Sequence, residues 1–107
     1  MLTKQHTINL ISTIDNQITI TFNTEWFQED IDIISQMILS KLPDKQLKEK
    51  IIGADRENLR FTCQAGEFIL NFDYYSQSCW LSAHDEASTK IVPLVYKLLI
   101  EGMNSSV

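Results

Sequence analysis

The sequence predicts an α+β fold: a two-layer sandwich ordered β-β-α-β-β-β-α, with a five-strand antiparallel sheet and two main helices on one face. Three observations predict it. Apolar and polar residues alternate at period two in five short runs. Apolar residues recur at three- and four-residue spacing in two longer runs. Two helices with one apolar stripe each can cover one face of such a sheet and leave the other wet.

The first two runs read as a hairpin. Ile8, Leu10 and Ile14 share one face at period two, interrupted by Ser12. Asp15-Asn16 suits a tight turn, and Ile18, Ile20 and Phe22 then alternate with Gln17, Thr19 and Thr21. Asn23 or Thr24 can cap the next element, a helix with Glu25, Glu29, Asp30 and Asp32 towards its positive end and Lys41 near its negative end. Phe27, Ile31, Ile34, Ile38 and Leu42 form its apolar stripe, which Trp26, Ile33, Met37 and Leu39 broaden. Pro43 stops it.

Asp44 to Ile52 reads as a short charged helix with Leu47 and Ile51 inward and Gly53 as its C-cap. Its Lys45, Lys48 and Lys50 read as a solvated face. The third strand sets Leu59, Phe61 and Cys63 against Arg60, Thr62 and Gln64, and Ala65-Gly66 turns the chain. The fourth sets Phe68, Leu70 and Phe72 against Ile69, Asn71 and Asp73. Tyr75-Ser76-Gln77 is a polar connection. The fifth, Ser78 to His84, sets Cys79, Leu81 and Ala83 against Ser78, Trp80, Ser82 and His84. The last helix runs on Ile91, Leu94, Val95, Leu98 and Leu99 to about Glu101. Pro93 belongs in its first turn, so the start lies at Thr89 or later. Gly102 ends it, and residues 102–107 are expected to fray.

Composition narrows the function classes. The 107 residues make one domain, 1–107, large enough for a core without staples. A net charge of −5 repels phosphates, so neither nucleic acid nor a membrane is an expected partner. Met1 to His6 has no apolar core of signal-peptide length, and no run approaches a membrane span. The expected compartment is the cytoplasm, with Cys63 and Cys79 as free thiols. Neither cysteine lies in a zinc-type cluster, and no phosphate-cradling, dinucleotide, zinc-protease or nucleophile-elbow motif occurs. No metal or cofactor is expected.

Four groups invite a functional reading. Cys79 and His84 offer a thiol and an imidazole, but five residues apart on one strand they point to opposite faces. His84-Asp85-Glu86 reads as a strand end followed by a helix start that favours acids. Asp55-Arg56-Glu57, in the loop before the third strand, reads as a structural ion pair or as a carboxylate clamp built on Arg56. The cluster Tyr74, Tyr75, Ser76, Gln77, Ser78 and Trp80 is the best candidate for recognition, with Asn71 and Asp73 on the adjoining strand. Tyr and Trp present apolar bodies with one hydrogen-bonding tip. A plain hairpin turn with a tyrosine over the core edge is the structural alternative.

One stretch also carries a likeness. Gly53-Ala54-Asp55-Arg56, the strand ending at Phe61, Gly66, Leu70-Asn71-Phe72 and Tyr75-Ser76-Gln77-Ser78 with Trp80-Leu81 resemble a family of small gammaproteobacterial proteins of unknown function. The likeness covers about residues 53–81. It implies a bacterial cytoplasmic protein of this size and no catalytic residue. It directs attention to Asp55, Arg56, Tyr75, Ser76, Ser78 and Trp80.

The expected function is non-enzymatic. The chain reads as a protein-binding or adaptor domain using the exposed sheet face and the Tyr75–Trp80 corner, with another protein or a second copy as partner. The alternative is a small-molecule binder or small enzyme with Asp55, Arg56, Asn71 and Tyr75 lining a pocket.

Overall fold

The computed structural model describes residues 7–104. The chain begins with β1 (Ile8–Ile14) and β2 (Gln17–Phe22). A 3-10 turn at Gln28–Asp30 leads into α1 (Ile31–Leu39). Four strands follow: β3 (Gln46–Ile52), β4 (Arg56–Cys63), β5 (Gly66–Asp73) and β6 (Ser78–Ala83). The short α2 (Glu86–Thr89) and the longer α3 (Val92–Asn104) complete the order. The strands form one antiparallel sheet in the order β1-β2-β6-β5-β4-β3. The α+β class and the antiparallel sheet agree with the sequence reading; among the described residues the sheet has six strands, not five, and there are three helices.

The core lies between one sheet face and the helices. Ile18, Ile20, Leu59, Phe61, Phe68, Leu70, Phe72 and Leu81 meet Ile31, Ile34, Ile38, Val95 and Leu99 there. The alternation read in β2, β4, β5 and β6 holds, because each strand has one dry face and one wet face, with Asn71 of β5 the exception, buried on the wet side. Gly66 opens β5 where a Cβ would sit 2.9 Å from the Phe68 ring. The turn before it is Gln64-Ala65, both at positive φ, rather than Ala65-Gly66.

The sixth strand is the segment expected to be helical. Residues 46–52 pair with β4 from Gln46 opposite Thr62 to Ile52 opposite Glu57. The unsatisfied edge of β4 decides their conformation over their helix-forming composition. Leu47 and Ile51 are consequently exposed on an edge strand, not buried on a helix. Lys50 reaches from this strand to Asp32 of α1 and lies 3.5 Å from Glu57.

Two other expectations change. The two-residue turn at Asp15-Asn16 sets the register of β1, so Ile11 faces the core opposite Ile20, and a bulge between Ile8 and Leu10 returns Ile8 to the core side. Leu10 and Ile14, expected on the dry face, are 56% and 69% exposed. The first helix also starts later than Glu25. Trp26 precedes it and enters the core from the linker, edge-on to Phe72 at 5.6 Å, and Ile33 is exposed. Arg56 and Glu57 open β4 instead of lying in a loop. At the C-terminus α3 continues through Gly102 to Asn104. Residues 105–107 of the expected fray, and residues 1–6 with His6, lie outside the described residues.

Candidate functional site on the uncovered sheet face

The sheet face opposite the helices divides into two halves of different chemistry. On β1 the outward residues are Leu10, Ser12 and Ile14; on β2 they are Gln17, Thr19 and Thr21. On β6 they are Ser78, Trp80 and Ser82. None of these side chains is ionisable. The half built from β3, β4 and β5 carries charge, and its ions pair with one another. Arg56 Nε lies 3.2 Å from Asp73 Oδ2. Arg60 lies 3.3 Å from Glu49 and 3.4 Å from Glu67, and Glu67 is 3.7 Å from His84.

Trp80 stands in the uncharged half, half-buried, between Thr19 on β2 and Asn71 on β5. A cavity of about 310 Å³ lies beside it, lined by Gln17, Thr19, Thr21, Gln77 and Ser78 among others. A second, of about 380 Å³, runs from Thr21 and Gln77 to Trp26. The β2–β6 ladder ends at Ile20 opposite Cys79, and both cavities lie along this junction. They form a shallow trough rather than an enclosed pocket.

Most of the residues singled out in the sequence have structural partners. Asn71 is buried at the seam between the halves. Its Oδ1 accepts from Asn58 Nδ2 at 2.6 Å. Its Nδ2 lies 3.2 Å from the carbonyls of Ile69 and Trp80 and 3.3 Å from Ser82 Oγ. Two hydrogens shared among three acceptors leave this amide no spare donor. Arg56 is held by Asp73 across the β4–β5 register, not by its neighbour Asp55. Asp73 Oδ1 also accepts from the Ser76 amide at 3.3 Å, and Ser76 Oγ lies 2.8 Å from Ser78 Oγ. The Asp55 carbonyl accepts from the Tyr74 amide at 2.8 Å, bracing two loops against each other. Tyr75 is 87% exposed at the β5–β6 turn. None of the cavities along the trough is lined by Asp55, Arg56, Asn71 or Tyr75.

Gln77 does more than the sequence reading assigned to a polar connection. Its Oε1 accepts from the Trp26 amide at 3.0 Å, and its Nε2 donates to the Trp26 carbonyl at 2.9 Å and the Tyr74 carbonyl at 3.0 Å. One side chain thus mimics a strand and fixes the linker that carries Trp26 into the core. Its φ of 56° is a left-handed conformation. Gln17, Thr19 and Thr21 were legible as a wet strand face, but nothing in the sequence placed that face beside Trp80.

The cysteine and histidine singled out in the sequence do not meet. Burial pushes the Cys79 thiol far up, and it faces the core, while His84 follows β6 on the opposite face beside Glu67. Burial raises Cys63 as well, and its Sγ lies 3.4 Å from the Pro43 carbonyl. Lys50 is raised first by its hydrogen bond to Asp32, with Glu57 adding to it and desolvation opposing. Asp85 is lowered by the hydrogen bonds from Ser88, whose amide it caps at 2.8 Å. Among the described residues no three His, Cys, Asp or Glu side chains gather as metal ligands. No helix among them is long and apolar enough to cross a membrane.

Residues 8–99, from β1 to the later turns of α3, match the family model of Protein of unknown function (DUF3630). The chain belongs to that family. The family match takes in both halves of the uncovered face and the core behind them, well beyond the stretch 53–81 in which the likeness was read. No curated protein and no solved structure matches the chain.

Proposed function

We propose that the chain is a non-enzymatic protein-binding domain of the cytoplasm whose contact surface is the uncharged half of the uncovered sheet face, centred on Trp80. The observation that carries this reading is the segregation of charge. In a chain with 21% charged residues, the outward strand positions of β1, β2 and β6 carry none, whereas those of the neighbouring strands carry mutually paired ions. Depletion of charge around a tryptophan is the compositional mark of an interface centre. The shallow trough along the β2–β6 junction suits a protein segment better than an enclosed small molecule. The corner at Tyr75, Ser76 and Ser78 borders this surface, and Asp55, Arg56, Asn71 and Asp73 act as its scaffold.

The test is affinity capture from lysate of the source organism with wild type, Trp80→Ala, Thr19→Arg and Arg60→Ala. One protein retained by wild type and Arg60→Ala, and lost by the two folded variants of the uncharged half, is the expected result. Retention by Trp80→Ala and Thr19→Arg, or no specific protein in repeated captures, would sink the reading.

A further inference from the structure

The two edges of the sheet are not alike. β3 carries Lys48, Glu49 and Lys50 in mid-strand, the kind of charge that blunts an edge against pairing. β1 has neither a charge nor a proline between Ile8 and Ile14, and among the described residues no strand pairs with its outer side. The backbone of that side is also in register for a partner. Asp15 and Asn16 have φ of 53° and 62°, so the hairpin closes on a two-residue turn of the I′ kind. Ile14 opposite Gln17 is then a hydrogen-bonded pair, and alternation turns the N–H and C=O groups of Thr13 and Ile11 outward. The Tyr96 hydroxyl donates to the Ile11 carbonyl at 3.4 Å, a long contact that leaves a second lone pair.

We propose that β1 pairs with β1 of a second copy, antiparallel about a two-fold axis at Ser12, joining the two six-stranded sheets into one. In this register Ser12 faces Ser12 of the partner subunit. Leu10 faces Ile14 of the partner subunit, and the reverse, so the exposed apolar residues of the strand cover one another. Ile11 and Thr13 exchange backbone hydrogen bonds with their counterparts. The contact is isologous and closes. Pairing through β3 would instead set Lys48 against Lys50, and pairing β1 to β3 would not close. Each copy has a net charge of −5, so association is favoured where charge is missing. A single shared edge buries less than the ~1,600 Å² of a standard interface, so the dimer belongs with the weak, concentration-dependent associations. The two uncharged half-faces become continuous, with their Trp80 residues five strand spacings apart, about 24 Å. The dimer does not depend on the protein-binding reading, but it would make that surface bivalent.

The test uses purified protein alone. Sedimentation velocity from about 1 μM to about 1 mM is run on wild type, Leu10→Lys, Leu47→Lys and Trp80→Ala. Ser12→Cys and Ser82→Cys are oxidised mildly. Across a non-hydrogen-bonded pair the Ser12 Cα atoms lie about 4.5 Å apart, within disulfide reach. Both native thiols are buried and do not compete. The expected result is a concentration-dependent dimer in wild type, Leu47→Lys and Trp80→Ala. Association weakens at least about tenfold in Leu10→Lys, and a disulfide dimer forms with Ser12→Cys and not with Ser82→Cys. If Leu10→Lys does not fold, the cross-link decides. A monomer at every concentration with Ser12→Cys unlinked overturns the proposal. So does a dimer that ignores Leu10→Lys while Ser12→Cys stays unlinked.

Discussion

Gln77→Ala removes a side chain that makes three hydrogen bonds, two with the Trp26 backbone and one with the Tyr74 carbonyl. A typical intramolecular hydrogen bond contributes about 1 kcal/mol net. The groups are partly buried, so water replaces some of what is lost, and the expected destabilisation is about 2–3 kcal/mol. At roughly 4 °C per kcal/mol the melting temperature should fall by about 10 °C. Gln77→Gly loses the same bonds but relieves a left-handed residue, which returns about 1 kcal/mol. Urea unfolding followed by circular dichroism gives both values. In a Trp80→Phe background, Trp26 is the sole indole, and its fluorescence should shift to the red as the linker loosens. A Gln77→Ala variant within about 0.5 kcal/mol of wild type would refute the clamp. Equal values for Ala and Gly would refute the strain argument alone.

The buried thiols should differ under substitution by serine. Cys63→Ser should cost only about 1 kcal/mol, because the hydroxyl can donate to the Pro43 carbonyl, whereas Cys79→Ser should cost about 2–3 kcal/mol in a core position where the thiol has no described partner. Rapid labelling of either thiol in the folded protein would contradict its burial. Asp85 should govern part of the acid limb of stability. Its folded pKa lies below the ordinary value of 3.8, so its contribution is present above that value and is lost as pH falls through the lowered pKa. Asp85→Asn keeps the cap and removes the titration. Its unfolding midpoint should therefore vary less below about pH 4 than that of wild type, and an unchanged pH slope would show that Asp85 does not contribute.

The sequence by itself determined the α+β class, the antiparallel hairpins and the residues that face inward on β2, β4, β5 and β6. Strand periodicity is a local property, and Phe68, Leu70 and Phe72 against Ile69, Asn71 and Asp73 need no partner to be read. The same local reading went astray at residues 46–52. Leu47 and Ile51 are spaced four apart among helix-forming residues, and only the open edge of β4 makes that segment a strand. It went astray again in β1, where the two-residue turn puts Leu10 and Ile14 on the outward face and a bulge separates Ile8 from them. The candidate site was half legible. Trp80 was correctly placed on the wet face with Asn71 and Asp73, and Arg56 was correctly read as an ion-pair partner. That Arg56 meets Asp73 and that Gln77 holds Trp26 depend on cross-strand register and loop closure, which no sequence window contains. Only the strand order, with β2 beside β6, brings Thr19 next to Trp80 and separates an uncharged half-face from a charged one. Neighbours along the chain set which side a residue faces; neighbours across the sheet set what it faces there, and that decided the surface.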